Sequence, residues 1–155
     1  MDNAHGHGHE PESLNRAAFG ATWHCLTGCA IGEILGLVIA TALNWGNGAS
    51  IAIAIVLAFL FGYSLTLRPL VRSGVPLRRA TRIALAADTV SIAVMEIVDN
   101  GFVLLVPGAM QAGLGDFLFW WSLAAGLLIA FWAAFPVNRA LIARGRGHAA
   151  VHAYH

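Results

Sequence analysis

Four long apolar segments limit what this chain can fold into. They cover roughly residues 21–43, 49–67, 82–106 and 117–137. A helix of about 20 apolar residues crosses the hydrocarbon of a bilayer, and only a helix or a closed barrel satisfies its backbone hydrogen bonds there. The sequence therefore predicts an all-α polytopic membrane protein with four transmembrane helices.

The composition agrees with this prediction, because only 11% of the residues are charged and 58% are hydrophobic. Soluble domains carry about 25% charged residues. The predicted organisation is a polar, histidine-containing tail (1–20), a transmembrane domain (21–137) and a second tail with arginine and histidine (138–155). The first tail lacks a basic region followed by an apolar core, so we expect no signal peptide.

The basic residues predict an orientation. All nine are arginines, and they lie in the two tails and in the connection over residues 68–82. Positive residues favour the cytoplasmic side, so both termini are expected inside, with the connection lying on anionic lipid. The absence of lysine excludes a retinal Schiff base.

Carboxyl groups lie inside two of the apolar segments. Glu33 is in the first, and Asp88, Glu96 and Asp99 are in the third. An acid at the bilayer centre costs about 3 kcal/mol on insertion scales. We therefore predict that these four acids bind an ion or a proton in the protein interior. The alternative is a structural role, in which they cap backbone groups or pair with arginines, but no arginine lies at comparable depth.

The helical rise of about 1.5 Å per residue predicts which side chains share a depth. Counted from the outer ends of the first and third helices, Glu33 lies level with Glu96, and Cys25 lies level with Asp88. The fourth segment has no ionisable group, so the site is expected mainly between helices one and three. The second helix is assigned a packing role.

Soft metal ligands accompany the acids. His24, Cys25, Cys29 and Met95 combine imidazole, thiol and thioether groups, which suit copper or zinc. Cysteines one turn apart have Cβ atoms about 5–6 Å from each other, which is too far for an unstrained disulfide. The alternatives are that the cysteines are small packing residues and that His24 is a satisfied interfacial histidine.

Histidines also cluster in both tails. Such clusters suit zinc, copper or nickel, and the alternative is a solvated or pH-responsive surface. The predicted tail ligands are His5, His7, His9, His148, His152 and His155.

Small residues form a stripe on the first helix, where Gly28, Gly32 and Gly36 repeat every fourth residue. Such a stripe allows close backbone packing between helices. Four helices can hardly enclose both an ion-binding site and a transport path, so we predict a homo-oligomer. We interpret the glycine stripe as the face through which the copies associate.

Three sequence runs, HCLTGCAIGE, ADTVSIAVMEIVDN and PVNRALIARGRGHAAVHAYH, resemble a family of small bacterial four-helix membrane proteins catalogued as a domain of unknown function, DUF4396. The resemblance implies a compact four-helix protein of the bacterial inner membrane and no particular activity. It implies that the family's motif runs include His24, Cys25, Cys29, Glu33, Asp88, Glu96 and Asp99.

These observations predict a membrane protein for cation transport or metal-ion handling, with copper or another transition metal as cargo and a link to protons. The expected partners are the lipid bilayer, a second copy of the chain and a cation or proton, and no nucleic acid. Three alternatives stay open: proton-coupled export of small organic cations, a thiol-redox protein using Cys25 and Cys29, and a non-catalytic accessory subunit. No nucleotide loop or hydrolase motif is present, which argues against an enzyme.

Overall fold

The computed structural model describes residues 10–144, with side chains from residue 14 onward. Within this range the chain is all-helical, with four long helices and no strand, which confirms the predicted fold class. The elements are α1 (Glu10–Ala42), α2 (Asn47–Arg72), α3 (Leu77–Leu105), a 3-10 turn (Ala109–Gln111) and α4 (Phe117–Ala143).

Three of the helices are long and apolar enough to cross a membrane. These segments are Leu14–Ala42, Asn47–Arg72 and Phe117–Ala143. Helix α3 has 29 residues and therefore the necessary length, but its acids and arginines make it more polar than the others. Helices of this length and composition indicate a membrane protein.

The helices extend beyond the predicted segments. Helix α1 begins at Glu10, inside the predicted tail 1–20, and α4 continues past residue 137 to Ala143. The additional turns are held by interior packing, because Ala18 and Asn138 are buried. The apolar pattern of the sequence does not predict these turns, because their buried side chains are small or polar.

The connection predicted over residues 68–82 is much shorter in the structure. Helix α2 runs to Arg72 and α3 begins at Leu77, so only residues 73–76 connect them. Leu70 and Val75 are buried in one cluster with Ala80 and Ala87. This cluster fixes the end of α2 against the start of α3.

The glycine stripe of α1 faces α2 of the same chain. A Cβ atom added at Gly28 would lie 2.8 Å from the Gly62 Cα, and one at Gly36 would lie 2.7 Å from the Ala54 Cα. Interpreting this stripe as an association face was wrong, because α2 already covers it. That the protein forms a homo-oligomer stays a prediction, and the glycine stripe no longer supports it.

The two ends of the bundle differ in their connections. Successive helices are antiparallel, so the α1–α2 and α3–α4 connections share one end, which we call the loop end. The described termini and the α2–α3 connection lie at the other, the terminal end. Helix α3 contacts each of the other three helices. Four polar side chains of α3, those of Asp88, Ser91, Glu96 and Asp99, are buried in the interior of the bundle.

Candidate ion-binding site

Three carboxyl groups from two helices meet inside the bundle, and we call Glu33, Glu96 and Asp99 the acid cluster. The Glu33 carboxyl lies within hydrogen-bonding contact of Asp99, and Glu96 lies beside both. Glu96 and Asp99 are only 4% and 2% exposed. They are three residues apart on α3, so they share the helix face that is turned toward Glu33.

The acid cluster has few donors. Asn100 Nδ2 donates to Glu96 Oε2 over 3.1 Å. One buried oxygen of each acid, Glu33 Oε1, Glu96 Oε1 and Asp99 Oδ1, has no amide, hydroxyl or guanidinium partner among the described residues. Carboxyl groups in contact cannot all ionise in a low-dielectric interior unless a proton or a cation lies between them. The cluster is therefore suited to hold one.

Helix α4 makes room for the acid cluster at a glycine. A Cβ atom added at Gly126 would overlap Asp99 Oδ1 and lie 3.1 Å from the Asp99 Cγ. As expected, the acids of the cluster come from α1 and α3. Helix α4 contributes the glycine whose missing side chain leaves room for Asp99. Sequence reasoning missed Gly126, because a glycine in an apolar helix has no polar atom to suggest a site.

A cavity of about 490 Å³ connects the acid cluster to the loop end, and we call it the loop-end cavity. Glu33 and Asp99 are part of its lining, and both connections of the loop end contribute to its rim. Asn44 and Trp45, on that rim, are exposed. The cavity therefore extends from the exposed loop end to two of the three acids.

Toward the terminal end, each buried cysteine lies beside an acid. The Cys29 thiol is next to Glu96, and the Cys25 thiol is next to Asp88 and Ser91. Both cysteines are free and buried. The predicted shared depth of Cys25 and Asp88 is thus seen in the structure. Polar groups continue from the acid cluster toward the terminal end through these contacts.

A hydrogen-bonded triad closes the terminal end. Asn138 Nδ2 of α4 donates to Thr22 Oγ1 of α1 and to Ser91 Oγ of α3, each over 2.9 Å. Thr22 Oγ1 in turn donates to the Ala18 carbonyl over 2.7 Å. Sequence reasoning missed Asn138, which it assigned to the tail. The signal was an amide one turn inside an otherwise apolar helix, where buried polar groups need partners.

The predicted soft-metal residues are only partly brought together. Cys25, Cys29 and Met95 share the central core, whereas His24 Nε2 lies 3.1 Å from Thr66 Oγ1 of α2. Across residues 14–144, no group of three or more His, Cys, Asp or Glu side chains is arranged to hold a metal ion. Their role as ligands stays a prediction. The six tail histidines lie outside the described residues.

The family model described as Domain of unknown function (DUF4396) matches residues 14–147. The chain belongs to the DUF4396 family. The match includes the acid cluster, both cysteines and Asn138, and it confirms the resemblance seen in the sequence runs. No curated protein and no solved structure matches this DUF4396 chain.

Proposed function

We propose that this DUF4396 protein is a proton-linked cation transporter that uses the acid cluster as its binding site. The observation that carries the proposal is the contact of Glu33, Glu96 and Asp99 at the inner end of an open cavity. Buried acids with no basic partner are costly in a membrane protein and are characteristic of ion and proton pathways. A purely structural role would leave the missing donors unexplained.

The proposed topology has four spans in the bacterial inner membrane, with both termini in the cytoplasm. Helix α3 is included because its acids face the other helices, while Val90 and Ile97 are 46% and 73% exposed, as lipid-facing residues are. The arginines of the tails and of the α2–α3 region favour the cytoplasm for the terminal end. The loop-end cavity then opens to the outside.

In this mechanism, protons and the cation compete for the acid cluster. A cation entering through the loop-end cavity replaces the proton that Glu33 and Asp99 otherwise share. Protons reach the same acids from the terminal end through polar groups at successive depths, namely Glu96, Cys29, Cys25 and Asp88. The Asn138 triad lies beside this path at about the depth of Cys25 and Asp88, where it joins α1, α3 and α4.

The test is cation-driven proton flux in vesicles. The full-length protein is reconstituted with an enclosed pH-sensitive dye, and gradients of sodium, potassium, zinc, cuprous and organic ammonium ions are applied in turn. We expect at least one cation to drive proton counterflow. Glu33→Gln and Asp99→Asn should each slow this flux by about tenfold or more, since each removes a charge from the site.

The matched control is Asp116→Asn, which removes an exposed acid at the same end of the bundle and should leave the flux unchanged. Equal flux in wild type and Asp99→Asn would contradict the proposal. If no cation drives flux and the acid variants change only stability, the accessory-subunit alternative takes its place.

A second candidate is transition-metal handling. The contacts of Cys29 with Glu96 and of Cys25 with Asp88 pair a sulfur with an oxygen donor at two successive depths. Copper and zinc accept such mixed donors. In this version the metal is the cargo, and it moves from one pair to the next.

A further inference from the structure

The loop-end cavity is much larger than an inorganic ion requires. Its volume is about 490 Å³, whereas one water molecule occupies roughly 30 Å³. Cavities of about 300–1,000 Å³ are typical of sites for small organic molecules. The size alone therefore favours an organic ligand or a heavily hydrated ion.

The walls of the loop-end cavity distinguish between these two ligands. Trp45, Phe119, Leu123 and Leu37 line it together with polar side chains, among them Thr41, Asn44, Ser50, Asn100 and Gln111. Aromatic and aliphatic side chains stabilise a hydrocarbon by removing it from water, which they do not do for a hydrated inorganic ion. The apolar part of the wall thus favours an organic body, and the polar part can bond to polar groups on it.

The inner end of the cavity requires a positive charge on that body. Asp99 lines the cavity, is 2% exposed, and its Oδ1 atom has no hydrogen-bond partner among the described residues. Glu33 lies in contact with it, and no arginine contributes to the lining. An N–H group on a cationic nitrogen would satisfy this oxygen with a charge-assisted hydrogen bond.

We propose that the loop-end cavity binds a small organic ammonium ion, a primary or secondary amine with a compact aromatic or aliphatic body. Its nitrogen donates to Asp99 and Glu33, and its hydrocarbon packs against Leu37 and Leu123, which line the cavity near the acids. The inference rests on the proposed function, because the same acids carry the coupled proton, and it names the class of cation.

Competition with protons follows from the groups that face Glu33 and Asp99. The titratable neighbours are Glu96 and Cys29. Helices α2 and α4 line the inner cavity with residues that do not titrate, such as Ser50, Ala54 and Ser122. Lowering the pH therefore protonates the acids and weakens ammonium binding, while the amine itself stays charged.

The test compares phenethylammonium with phenethyl alcohol, which has a similar shape and no charge. Binding to the purified full-length protein in lipid nanodiscs is measured by calorimetry. We expect phenethylammonium to bind at least about tenfold more tightly than the alcohol, as a hydrogen bond to a charged group predicts. The affinity should fall as the pH is lowered, because protons compete with the amine for the same carboxylates.

Two variants locate the binding. Asp99→Asn should weaken phenethylammonium binding about tenfold or more, while Asp116→Asn should bind as wild type does. Equal binding of amine and alcohol, no binding of the amine, or full binding by a folded Asp99→Asn protein would each overturn the inference. The amine–alcohol comparison uses wild type only, so it is decisive even if a variant does not fold.

The vesicle assay separates failure of this inference from failure of the proposed function. If phenethylammonium does not bind but an inorganic cation drives flux that depends on Glu33 and Asp99, the transporter stands and the organic substrate is wrong. If neither binding nor acid-dependent flux occurs, both proposals are wrong.

Discussion

The two ends of the bundle interior treat buried polar groups in opposite ways. At the terminal end, Asn138 donates to both Thr22 and Ser91. At the loop end, Glu33 and Asp99 line an open cavity, and each has an oxygen without such a partner. Satisfied groups hold helices together, whereas unsatisfied ones are available to a ligand. The difference predicts which polar residues serve stability and which are candidates for binding.

The largest expected effect on stability comes from breaking the terminal end with Asn138→Ala. This change removes two interhelical hydrogen bonds and leaves a gap among α1, α3 and α4. Such bonds contribute about 0.6 kcal/mol each on average in a membrane protein and up to about 1.7, so we expect a loss of about 1–3 kcal/mol. The measurement is unfolding of the purified protein in detergent.

The control for this variant is Ser64→Ala, whose hydroxyl bonds only to the Leu60 carbonyl of its own helix over 2.6 Å. It should unfold as wild type does. If Asn138→Ala unfolds like the control, the triad is not what stabilises the terminal end.

Asp99→Asn at the loop end is expected to change the stability less than Asn138→Ala does, and in the opposite direction. The amide keeps the shape of the carboxyl, removes its negative charge from the buried cluster and can still donate a hydrogen bond to Glu33. We expect stability to be equal to wild type or higher, by up to about 1 kcal/mol. The same unfolding assay checks this, and a clear destabilisation would mean that the acid cluster is structural.

The smallest expected effect concerns the cysteines between the two ends. In Cys25→Ser/Cys29→Ser each new hydroxyl lies beside an acid that can accept its hydrogen bond, so we expect stability to change by less than about 1 kcal/mol. Elemental analysis of the purified variant beside wild type then tests the metal candidate. Copper or zinc near one equivalent in wild type and absent from the variant would support metal handling, and no metal in either would remove that support.

The sequence predicted those features that depend on one helix at a time. The length of the apolar segments identified the four helices. The helical rise predicted that Glu33 and Glu96 lie at the same depth, and in the structure Glu33 lies beside both Glu96 and Asp99. Both predictions need only the periodicity of an α-helix. The acids were visible because an ionisable residue inside an apolar segment is rare and costly.

Features that depend on the pairing of helices were not predictable in this way. The glycine stripe was assigned to another subunit because small residues fit any close neighbour, and only the fold shows that α2 is that neighbour. Gly126 was missed for the same reason. Asn138 was missed because its two partners are 47 and 116 residues away in the chain.

The close approach of α1 and α2 has a consequence for movement. With glycines facing Ala54 and Gly62 at backbone distance, these two helices cannot slide or rotate past each other without losing their packing. They therefore behave as one rigid body, and any rearrangement that exposes the site to the opposite side must displace α3 and α4 against it. Glu33 belongs to the first body and Asp99 lies on α3. If the proposed transport proceeds by alternating access, each cycle would separate these two carboxyl groups and bring them back together.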